Sequence, residues 1–112
     1  MEIRELVEKA HKNAVDHGFW ENWVWIERDK ITGHKEHYYN AIGNMLMLIT
    51  GEVAEAHEAL RKREYENFKE ELADIVIRVA DLCGGLDIDL EKEIKNKMEK
   101  NKSRPYKHGK AF

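Results

Sequence analysis

Apolar residues recur along this chain at helical spacing in four stretches. Ile3, Leu6, Val7, Ala10 and Ala14 mark one face of a first helix over roughly residues 2 to 17, and Gly18 follows as a natural stop. Residues 18 to 36 hold Gly18, Gly33, Asp29 and the tryptophans Trp20, Trp23 and Trp25 without a sustained period, which predicts an ordered, aromatic-rich connection. From about Tyr38 to Lys62, Ile42, Leu46, Ile49, Val53, Ala56 and Leu60 trace one face of a long second helix. Met45, Met47 and Leu48 add apolar surface on its other sides, more than three partner helices of a small monomer would cover, so a dimer or higher oligomer is expected. A third helix over about residues 64 to 83 carries Phe68, Leu72, Ile75, Val79 and Leu82, with a left-handed cap expected at Gly84-Gly85. Asp87 or Asp89 caps a fourth helix bearing Leu90 and Ile94, which must end near Arg104 because Pro105 disfavours helical geometry just before it. The expected fold is all-α, four helices packed into an oligomeric bundle.

Composition narrows this further. A chain of 112 residues fits one domain, here 1–112, since two independent cores of half that size would each be marginal. Hydrophobic residues make up 42% and charged residues 37%, a mix that suits long amphipathic helices and argues against disorder. The net charge of −3 provides no global basic field, which argues against nucleic acid as a partner and requires any anion site to be local. Glu2 and Glu5 stand where a targeting segment would be basic then apolar, and no apolar run approaches membrane-spanning length, so a cytoplasmic location and no membrane partner are expected. Cys83 has neither a disulfide partner nor zinc-ligand spacing, and reads as a small core residue.

The acids are placed informatively on these helices. Relative to the apolar stripe of the second helix, Glu52 falls about 80° and Glu55 about 140° to one side; on the third, Glu71 falls about 60° and Asp74 about 120° to the same side. If the helices pack through their stripes, four carboxylates can converge. Such an all-oxygen cluster needs a cation and suits Mg²⁺, or Mn²⁺, far better than zinc. With 22 acidic residues in the chain, spacing alone fits a solvated face laced with local salt bridges better than a metal site, and it is the edge placement of both pairs that brings the metal reading level with it.

A second signal is basic. Lys97, Asn101 and Arg104 continue the stripe begun by Leu90 and Ile94, within about 40° of it, so they are expected on an inward-facing line where they need a counter-charge, either the acids or a bound anion. Arg104 can grip phosphate in a bidentate fork and Lys97 offers a point charge. The segment Tyr106-Lys107-His108-Gly109-Lys110-Ala111-Phe112 mixes bases with aromatics; it reads either as a flap over polyphosphate or as a frayed tail. Phe19, Trp20, Trp23 and Trp25 offer stacking surfaces for a nucleobase, Trp20 and Trp23 being the candidates, with core or dimer packing as the alternative. The six histidines receive no metal role.

Three segments, Gly51-Glu52-Val53-Ala54-Glu55, Glu71-Leu72-Ala73-Asp74 and Asn101-Lys102-Ser103-Arg104-Pro105-Tyr106-Lys107-His108-Gly109-Lys110, together resemble the MazG-like nucleoside triphosphate pyrophosphohydrolases, over roughly residues 38 to 112. The resemblance implies an all-α, usually oligomeric scaffold, a homodimer or homotetramer, that uses Mg²⁺ to hydrolyse the α–β linkage of (often non-standard) nucleoside triphosphates to monophosphate and pyrophosphate. By motif match it makes Glu52, Glu55, Glu71 and Asp74 the metal ligands and catalytic acids, and Lys97, Asn101, Arg104 and Lys110 the phosphate contacts. Gly51 is a departure, since the first motif often begins with two consecutive glutamates. The competing expectations are a non-enzymatic helical oligomer, whose acidic edge pairs internally with Arg78, Lys97 and Arg104, and a nucleotide-binding module that uses the basic tail without hydrolysis.

Overall fold

A computed structural model describes residues 1–111; Phe112, the end of the basic tail, lies outside the described residues. Five helices follow one another: α1 (Ile3–Asp16), α2 (Trp23–Ile31), α3 (Lys35–Arg61), α4 (Tyr65–Gly85) and α5 (Leu90–Lys102), with a tight turn over Tyr106–Gly109 and no strand among the described residues. The all-α expectation is met. The helix count is five because α2 forms inside the stretch read as an aromatic connection. It has no buried residue and no clean apolar face, so periodicity could not reveal it. It is placed by packing on α3.

The other ends follow local chemistry. Gly18, at φ +86°, closes α1, with Phe19 N–H bonded back to the Ala14 carbonyl. The Asp89 carboxylate caps α5 by accepting from the Lys92 N–H at 3.2 Å. Gly84 and Gly85 do not form the expected left-handed cap; α4 runs through both, and Asp87, at φ +55°, takes the left-handed position while Ile88 N–H bonds the Cys83 carbonyl. Both glycines serve close approach instead. A Cβ on Gly84 would stand 2.5 Å from the Cβ of His11, and one on Gly85 would stand 2.0 Å from Cη2 of Trp20.

The core is thin. α4 packs between α1 and α3, and the buried apolar residues are small: Ala10, Ala56, Ala59, Ala80 and, as expected, Cys83. Leu46, Val53 and Leu60 on α3 and Leu72 and Val76 on α4 remain about half exposed. The accessible surface is 8909 Å², against about 6,400 Å² for a compact monomer of this mass. The radius of gyration, 16.8 Å, exceeds the roughly 13 Å of a compact chain of this length. No helix of the described residues is long and apolar enough to cross a membrane.

Candidate active site

Antiparallel packing of α3 on α4 brings Glu52 and Glu55 opposite Glu71, and one oxygen from each lies within 4.8 Å of the others. Glu52 and Glu71 are half-buried and Glu55 is exposed. Asp74 stands outside this three-way cluster, exposed one turn along α4, but its charge still acts on Glu71. The four acids predicted to converge are thus three in close array and one at the rim.

The electrostatics are uneven. Glu52 accepts a 2.8 Å hydrogen bond from Arg78 Nε, which holds its carboxyl below the usual range. Glu71 has no cation; desolvation, the hydrogen bond shared with Glu52 and the charges of Glu55, Glu52 and Asp74 push its carboxyl up to about 7. Its Oε2 is buried without a hydrogen-bond partner. A glutamate with one orphaned buried oxygen, clustered with two more carboxylates, is a donor set that fits a hard divalent cation. Those oxygens, with Asp74 at the edge, are the residues that could hold Mg²⁺ or Mn²⁺.

Beside the cluster lies a cavity of about 440 Å³ among α1, α2, α3 and α4, in the size range of small-ligand sites. Trp20, Trp23 and Phe19 form its aromatic wall, while Asn44, Arg78 and Asp81 supply polar groups. The two indoles meet edge to face at 5.1 Å. Trp20 Nε1 donates to Asp81 Oδ1 at 2.9 Å, and His11 Nδ1 donates to the same oxygen at 3.0 Å. Its ring is also held edge-on by His11 and backed by Gly85, so Trp20 is a fixed wall. Trp23 donates to Glu27 and packs near Tyr38, whereas Trp25 is largely exposed beneath the Arg28 guanidinium.

The basic residues are not where the stripe implied. Lys97, Asn101, Arg104 and Lys110 are all exposed, and among the described residues none pairs with Glu52, Glu55, Glu71 or Asp74. The reason lies in how α5 is moored. It packs on α1, with Leu90 and Ile94 half-buried and Arg4 paired to Asp89 and Glu91 near its start. Beyond Ile94 the stripe continues geometrically, but every residue of α5 there is exposed. Arg104 instead lies 3.3 Å from the His108 ring.

Three residues at the site carried no functional role in the sequence: His11, Asp81 and Arg78, the last read only as an internal ion-pair partner. The signal was present on α4, where Glu71, Asp74, Arg78 and Asp81 follow at steps of three, four and three, a single polar stripe on one side of the helix. His11 had no such signal, because its partners lie on α4 and in the turn before α2.

Among known proteins, the family model of the MazG nucleotide pyrophosphohydrolase domain matches residues 41–108, more than half of the chain. No curated protein and no solved structure matches it.

Proposed function

The chain belongs to the MazG nucleotide pyrophosphohydrolase family, and on that premise we propose that it hydrolyses nucleoside triphosphates, standard or modified, to monophosphate and pyrophosphate with Mg²⁺, or Mn²⁺ in its place. The observation that carries the reading is the array of one oxygen each from Glu52, Glu55 and Glu71 within 4.8 Å, together with the buried, unpartnered Oε2 of Glu71. A divalent cation held there by these carboxylates would neutralise phosphate charge and acidify a water molecule. Glu52, Glu55, Glu71 and Asp74 are the proposed ligands. Glu55, the exposed member, is the candidate to accept the proton of the attacking water. Trp20 and Trp23 hold the nucleobase in the adjoining cavity, one indole fixed through Asp81.

Lys97, Asn101, Arg104 and Lys110 are proposed to contact the phosphates. Since none meets the acids within one chain, their approach is assigned to an assembly of copies. The chain, a single domain over 1–112 in this reading, is proposed to act as a cytoplasmic homodimer or homotetramer. Supporting this is an accessible surface roughly 2,500 Å² above that of a compact monomer, comparable to what obligate partners bury.

The Arg78–Glu52 ion pair favours one competing reading, a structural acidic cluster neutralised from within. Pyrophosphate release from a panel of standard, deoxy and modified triphosphates, in Mg²⁺ and in chelator, with monophosphate resolved from diphosphate, separates the two. Metal-dependent monophosphate is the expected product. No turnover across the panel, with intact helicity and a melting temperature indifferent to Mg²⁺, establishes the structural reading.

A further inference from the structure

Arg78 joins the two halves of the site. It sits one turn beyond Asp74 on α4, donates through Nε to Glu52 Oε1 at 2.8 Å, and also lines the aromatic cavity with Trp20, Trp23 and Asp81. Among the described residues its side chain has no other hydrogen-bond partner. A guanidinium carries five N–H donors in a rigid plane, and use of Nε leaves the edge formed by Nη1 and Nη2 free. That edge offers two parallel donors, the geometry that suits two oxygens of one phosphate.

Position along α4 selects the phosphate. Glu71 and Asp74 mark the acid end of the polar stripe and Asp81 the aromatic end, with about 10 Å of helix rise between Asp74 and Asp81. A nucleotide with its base against Trp20 and its terminal phosphates at the acids must pass Arg78 between them. We propose that Arg78 contacts the α-phosphate of the bound nucleotide, the phosphate retained by the product, with Glu52 anchoring its guanidinium. The inference rests on the nucleotide reading of the cavity but not on hydrolysis or on a metal. It gives Glu52 a second task, because the carboxylate that faces the cluster also sets the plane of the guanidinium. It also gives the exposed acid pair a local positive charge without help from α5.

The test compares a nucleoside monophosphate with its parent nucleoside, each titrated into the full chain in chelator by calorimetry and tryptophan emission, so that neither turnover nor metal enters. In Arg78→Gln the ratio of monophosphate to nucleoside affinity is expected to fall about tenfold or more, the size of a charge-assisted hydrogen bond. Nucleoside affinity itself should hold, which also reports an intact cavity. Arg78→Lys, which keeps the charge and loses the fork, should recover only part of the ratio. An unchanged ratio in Arg78→Gln, or an unaltered chain that binds neither ligand, overturns the proposal. Mn²⁺ titration followed by electron paramagnetic resonance tests the metal reading separately: no Mn²⁺ binding removes that reading and leaves the Arg78 result standing.

Discussion

Gly85→Ala is expected to destabilise the protein although alanine is the better helix former. The added Cβ would meet Trp20 Cη2 at 2.0 Å and Cζ2 and Cζ3 at 2.5 Å. No real Cβ makes such contacts, and Trp20 is not a flexible chain end that can swing aside, because its Nε1 is bonded to Asp81 and its ring is held by His11 and Trp23. Overpacking of this kind costs about 1–3 kcal/mol. Moving the indole also weakens a hydrogen bond to a carboxylate, worth about 1.5–3 kcal/mol if lost entirely. Against these stands about 0.5–1 kcal/mol of helix propensity regained. The net expectation is a loss of roughly 2–4 kcal/mol, or a melting temperature lower by roughly 8–17 °C. Gly51→Ala is the control. Gly51 lies inside α3, and a Cβ added there would have nothing within 4 Å, so the same change should stabilise by about 0.5–1 kcal/mol. Urea unfolding at matched protein concentration, followed by circular dichroism and tryptophan emission, reads both. A Gly85→Ala protein within about 0.5 kcal/mol of the unaltered chain, with unchanged emission, would refute the argument, as would an equal loss in Gly51→Ala.

Glu71, with its carboxyl raised from 4.5 to about 7, binds a proton in the folded chain that the unfolded chain has already released. Metal-free stability should therefore fall as pH rises from about 4.5 through about 7, and Glu71→Gln should flatten that slope in melting curves taken in chelator; an unchanged slope sinks the assignment. Mn²⁺ binding should release a proton at pH below about 7 and tighten as pH rises toward that value, read by calorimetry in buffers of different ionisation enthalpy. Glu71→Ala or Asp74→Ala should abolish turnover with helix content nearly unchanged, and full activity in either removes the site as drawn. Asp81→Asn should cost about 1–3 kcal/mol and shift the Trp20 emission, since one oxygen accepts from both His11 and Trp20. Val76→Glu, on the half-exposed face of α4, should lower the sedimenting mass of the native protein; a native chain that already sediments as a monomer contradicts the assembly.

Four of the five helices were legible from the chain alone, because each carries an apolar face whose period is local, and because Gly18, Asp89 and Pro105 act within a residue or two of where they stand. The acid pairs were legible for the same reason: an i, i+3 spacing fixes two carboxylates on one side of one helix whatever surrounds it. Tertiary structure decided everything that depends on a second element. It made α2 a helix, turned Gly84 and Gly85 from a cap into a seat for His11 and Trp20, and brought Glu71 to Glu52 and Glu55 while leaving Asp74 at the rim. It also left Lys97, Asn101 and Arg104 exposed, because α5 leans on α1 and ends its packing at Ile94. Periodicity tells which side of a helix a residue occupies; only the crossing and depth of neighbouring helices tell what, if anything, stands on that side.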